Sequence, residues 1–153
     1  MPKIQLPISE KEYKEAGSKF IAIPPNANGK EEVGDTIALD IECGMPDWDT
    51  PGVSIKFPVK VTEKDSVDYG KSDKISCGVS SNAVWKLKDT ARGFGLEKAV
   101  SFNAGKPELD ADAFVGVKAR GIWVRVESNT DPPFLFAKLQ SIVPAGSTTE
   151  ELM

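Results

Sequence analysis

Histidine is absent from the 153-residue chain, and with it go the commonest general base, the usual triad partner and the commonest zinc ligand. That absence argues against an enzyme. Cysteine is scarce. Cys43 and Cys77 fall in separate predicted strands with no CxxC spacing, which favours buried thiols over a disulfide, a redox pair or a metal site. No apolar run approaches the roughly 20 residues a membrane span needs, and the opening MPKIQLPISEKEYKEAG is too polar for a secretory signal. The expectation is a soluble, cytoplasmic protein with no membrane partner. Positive charge is also short. With 19 Lys and Arg against 23 Asp and Glu, the net charge is −4, which disfavours a uniformly basic nucleic-acid binder.

What is present suits one domain. Residues 1–33 alternate charge with Pro and Gly, and read as an N-terminal arm or a short leading strand (Lys19 to Ile23) closed by the turn PPNANGK. Thr36 to Cys43 alternates Ile37, Leu39, Ile41 and Cys43 with polar or small residues, a half-buried strand. GMPDWDTPG is a long turn tipped by Trp48. Val53 to Thr62 puts Val53, Ile55, Phe57, Val59 and Val61 on one face, and Pro58 on the other requires an edge or a bulge. Lys74 to Ser80 is a third strand.

The period then changes. Val84, Leu87, Ala91 and Phe94 recur at helical steps, with Ser81 or Asn82 as cap and Gly93 or Gly95 as stop. A linker through Lys106 and Pro107 leads to strands over Phe114 to Glu127 and Phe134 to Val143, and residues 145–153 read as a disordered acidic tail. Three strands, a helix and two strands give an all-β class: a five-stranded OB-fold barrel over 34–144, with one helix between strands three and four.

In GVKARGIWVRV the apolar parity moves from Val115, Val117 and Ala119 to Ile122, Val124 and Val126. Read as one inserted residue, Gly121 marks a bulge that turns a barrel corner and puts Lys118, Arg120, Trp123 and Arg125 on the outer side. On the last strand, Phe134, Phe136, Lys138 and Gln140 face outward. Lys56 and Lys60 extend the cationic strip, and Trp48 and Tyr69 stand at the rim. Bases interleaved with aromatics suit single-stranded nucleic acid, where cations follow the phosphates and each ring stack contributes about 1–3 kcal/mol.

Other groups carry weaker signals. Trp85 reads as packed against the barrel bottom, and Lys86, Lys88 and Arg92 as a solvated helix face. The pairs Asp47/Asp49, Asp65/Asp68 and Asp110/Asp112 sit in turns, where Asp serves backbone hydrogen bonding more often than metal ligation. Neither a metal nor a cofactor is expected.

TIALDIEC, IKFPVKVTEKDSVDYGK and WKLKDTARGFGL, with the later FVGVKARGIWVRV and FAKLQSIVPA, resemble the bacteriophage-type OB-fold single-stranded DNA-binding proteins of replication and recombination. The resemblance covers about two thirds of the chain. It implies cooperative, sequence-tolerant binding of single-stranded DNA in a bacterial or phage-infected cell, with replication or recombination proteins as partners and no catalytic residue. A homo-oligomer is left open. The competing reading is a structural or protein-interaction barrel, a virion or assembly component, whose aromatics bury a subunit interface. A small hydrolase using clustered carboxylates ranks below both.

Overall fold

A computed structural model describes residues 3–7, 9, 10 and 20–146. The strands are β1 (Thr36–Cys43), β2 (Asp47–Thr50), β3 (Ser54–Val61), β4 (Ser72–Gly78), β5 (Val100–Asn103), β6 (Lys106–Leu109), β7 (Lys118–Glu127) and β8 (Leu135–Pro144). One helix, α1 (Val84–Gly93), follows β4, and a 3-10 turn, Ala111–Phe114, precedes β7. The class is all-β, as expected. The five anticipated strands are the five long ones, and α1 lies between the third and fourth of them.

β1 and β2 share one edge of β3 end to end, β4 takes the other edge, and β1 continues to β7 and then β8. Pro58 sits where its missing donor does least harm, at the handover from β1 to β2, with its carbonyl accepting from the Gly44 amide at 2.9 Å. Alternation decides what is inside. Leu39, Ile41, Phe57, Val59, Val61, Ile75, Cys77, Leu139 and Ile142 are buried from their strands, joined by Leu87 and Ala91 of α1 and by Phe94 at its C-cap. Phe57, Phe94 and Phe114 pack with ring centroids 5.2 to 6.3 Å apart. Each buried large side chain is worth about 1.5–3 kcal/mol.

The expected barrel closure is not made: β4 and β8 approach each other but share no ladder. Two elements fill that seam instead. α1 packs on both β4 and β8. At Gly93 it comes so close to β8 that a Cβ would stand 2.1 Å from the Ile142 carbonyl oxygen. The second element is the segment 20–23, whose Ile21 and Ile23 are buried. The Phe20 carbonyl accepts from Lys71 Nζ at 2.9 Å, the Ala22 amide donates to the buried Asp68 carboxylate at 3.2 Å, and the Ile23 carbonyl accepts from Arg125. These residues form no strand, so the leading strand read over this stretch is corrected; Lys19 lies outside the described residues.

Local differences have local causes. The helix is capped by Ala83, with no side-chain cap, instead of Ser81 or Asn82. β2, β5 and β6 fall where the sequence reads as turn or linker: DWDT and KPEL carry no apolar alternation, and VSFN alternates over only four residues and leaves Phe102 exposed. The tail reading falls mainly on residues 147–153, outside the described residues.

Both cysteines are free and buried. Burial pushes the Cys43 thiol up to about 12, and also raises Cys77, against a hydrogen-bonding contact with Thr90 Oγ1 that works the other way. A raised thiol pKa keeps the neutral form in the fold, so stability held below the ordinary thiol pKa drains away as pH climbs toward 12. At pH 8 a thiol reagent should label neither cysteine in the native protein and both in denaturant. Stoichiometric labelling without denaturant would contradict the burial.

Candidate functional site

β7 keeps a single alternation from end to end. Its register on β1 is unbroken from Thr36 opposite Val124 to Glu42 opposite Lys118, so no residue is inserted at Gly121. Ala119, Gly121, Trp123 and Arg125 point inward. The irregularity lies on the neighbouring strand: Ile122 pairs with Ser141 and Trp123 with Leu139, which leaves Gln140 opposite no residue.

Trp123 is therefore removed from the outer platform. It is 0% exposed, and its Nε1 donates to Asp73 Oδ2 at 2.8 Å. Gly121 makes room for it. A Cβ at 121 would stand 2.7 Å from Trp123 Cζ3 and 3.1 Å from Leu139 Cδ1. Arg125 is also buried, its guanidinium donating to Asp35 and to the Ile23 carbonyl. Both predicted contacts are thus corrected to core roles: an indole packed over a glycine, and a cation clamping a carboxylate.

The remaining cations of the strip on β3 and β7 are on the outer face, but each stands opposite an acid. Lys56 pairs with Asp47, Lys60 and Lys118 both pair with Glu42, and Arg120 pairs with Asp40. Direct partners on an antiparallel ladder have Cβ atoms about 4.5–5.5 Å apart, close enough to neutralise each other's field. Arg120 goes further, donating to Asp40 Oδ1 at 2.8 Å and to the Ala38 carbonyl at 2.9 Å, with Glu63 Oε1 at 3.4 Å. On the β3–β4 face, Asp49 accepts from Lys74 Nζ and Ser76 Oγ, each at 2.6 Å, and these hydrogen bonds hold its carboxyl below the usual range. That pair persists at neutral pH and is lost as pH falls through the lowered pKa. The sheet's outer face around β1 and β3 is a ladder of mixed charge, in which Lys60 and Lys118 share Glu42 and Arg120 makes direct ion pairs.

β8 differs. Its outward row is Phe136, Lys138 and Gln140, with Phe134 just ahead, and the partners of Phe136 and Lys138 on β7 are Val126 and Val124, neither acidic. Phe134 is 50% exposed, Phe136 half-buried and Lys138 exposed. Phe20 joins them, with ring centroids 5.3 Å from Phe136 and 6.5 Å from Phe134, and Phe134 lies 5.7 Å from Phe136. The strands thus gather Phe134, Phe136 and Lys138 as expected. Sequence reasoning missed Phe20, whose only signal was an apolar FIAI run in an otherwise polar arm.

Trp48 and Tyr69 are exposed, but no ring contact among the described residues links them to this patch. Trp48 pairs with Ile55, which puts it on the inward parity at the rim. Trp85, expected against the barrel bottom, is 62% exposed. Among the turn acids, Asp47 accepts from the Trp48 amide at 2.7 Å and Asp68 pairs with Lys71 at 2.7 Å, both contacts that serve the fold. Among the described residues no group of three or more His, Cys, Asp or Glu could hold a metal ion, and no helix is long and apolar enough to cross a membrane.

No family model, curated protein or solved structure matches the chain.

Proposed function

We propose that the protein is a non-enzymatic binding module of OB architecture that takes single-stranded DNA on the outer face of β8, in the service of replication or recombination. The order β4–β3–β1–β7–β8, with α1 between β4 and β7, supports an OB barrel left open between its third and fifth long strands. The observation that carries the reading is the cluster of Phe20, Phe134 and Phe136 beside Lys138, on the part of the outer face with no opposing carboxylate. Unpaired bases stack on such rings regardless of sequence. Lys138 supplies a phosphate contact at the same place.

A shallow salt dependence follows from so few uncompensated cations. Each phosphate contact on a single strand contributes about −0.7 to the slope of log affinity against log salt, so a total between about −0.7 and −2 is expected. Anisotropy of a labelled oligothymidylate should report binding at low salt, and Phe136→Ala should cost about 1–3 kcal/mol of it. No binding at low salt would remove the proposal.

The mixed charge ladder favours a second reading, an interaction or assembly module whose exposed rings meet another protein surface. Sedimentation separates the two: self-association abolished by Phe134→Ala, with no oligonucleotide bound, belongs to the second.

A further inference from the structure

The outward row of β8 does not end at Lys138. Gln140, the residue left without a partner by the register shift, continues it. Beyond Gln140 the strand runs under α1, and a cleft of about 220 Å³ opens there between the helix and the strand. That is below the roughly 300–1,000 Å³ of a drug-sized pocket and suits a single ring system.

Its walls have three useful components. Trp85, on the first turn of α1, presents an indole that is 62% exposed. Gln140 and Ser141 offer an amide and a hydroxyl, and Lys86 an ammonium, none of which has a side-chain hydrogen bond among the described residues. Ile142 and Thr90 are buried beneath them. Asp89 also lines the cleft, and its carboxylate is paired with Arg92 at 3.4 Å. A bulge re-aims the side chains it displaces, and here it turns two polar groups toward an exposed indole.

We propose that this cleft is a second base-binding position, in which one unpaired nucleobase stacks on Trp85, presents its edge to Gln140 and Ser141, and sets its phosphate near Lys86. The inference rests on the single-strand reading above and extends it. Phe136 and Gln140 are four residues apart on one strand, about 13 Å at about 3.3 Å per residue, so one bound strand following β8 meets the phenylalanine patch, then Lys138, then the cleft.

The test uses the full chain labelled with 15N, a 12-mer oligothymidylate and, separately, thymidine monophosphate. The 12-mer should shift the Trp85 indole N–H and the Gln140 side-chain amide, while the Trp123 indole, sealed in the core, stays put as a control for fold. Trp85→Ala should weaken the 12-mer by about 5- to 150-fold, the range of one base stack, and Trp85→Phe should restore most of it. If the 12-mer binds, loses affinity in Phe136→Ala and leaves Trp85 unmoved, the cleft proposal falls and the β8 reading survives. If the monophosphate shifts Trp85 and the 12-mer does not, the cleft is a free-nucleotide site and the strand path is overturned. If neither probe shifts any resonance, both readings fall together.

Discussion

Trp123→Ala should lower the unfolding free energy by about 3–5 kcal/mol without specifically weakening oligonucleotide binding by the molecules that remain folded. Trp123 heads the fully buried side chains by volume, so its removal leaves a cavity that the surrounding strands cannot collapse to fill. The substitution also strands the Asp73 carboxylate that accepts from the indole at 2.8 Å. Guanidinium denaturation measures the loss, and oligonucleotide titration of the folded protein measures the rest. An indole that served as an outer stacking ring would give the reverse pattern: near-normal stability and reduced affinity. Gly121→Ala provides an independent check, because its added Cβ meets the same indole at 2.7 Å and should also destabilise.

Arg125→Ala should cost a similar amount, about 3–5 kcal/mol, because it leaves a partly buried carboxylate with no counter-charge. The guanidinium serves two partners at once, Asp35 ahead of β1 and the carbonyl of Ile23. Its loss should therefore appear locally as well as globally. Limited proteolysis should cut sooner within 20–33, before the global transition. Arg125→Met combined with Asp35→Leu should recover much of the stability, since a buried ion pair replaced on both sides by apolar groups is often neutral. A single-variant loss below about 1 kcal/mol would show that the pair is solvated and does not hold the segment.

The two residues at the centre of these experiments are also where pattern reading misled. β1 and β3 were legible because their inward rows are uniformly apolar. In β7 the β-branched residues Ile122, Val124 and Val126 take the outer face, while the inner row holds a glycine, a tryptophan and an arginine. Counting apolar residues by parity then invents an insertion. Keeping one parity throughout, and reading Gly121 with Trp123 as a small and large neighbour on the same face, would have placed the indole inside. Asp35 and Asp73, which make that inner row tolerable, lie 90 and 50 positions from their partners, so no local pattern shows them. The charge ladder was hidden for a related reason. Asp40 and Glu42 were visible as outward residues of β1, but which cations they neutralise depends on register between strands, which alternation within one strand does not specify. On β8 the outward rings were legible, because there the alternation is simple as far as Leu139.

The seam between β4 and β8 bears on the order in which the molecule assembles. Phe20 to Ile23 are synthesised before the side chains that hold their backbone groups, which lie 46, 51 and 102 positions downstream. The segment must wait for those partners, and closure of such long loops is slow relative to local pairing. The earliest-made part of the core is therefore among the last to dock, after β7 has supplied its arginine.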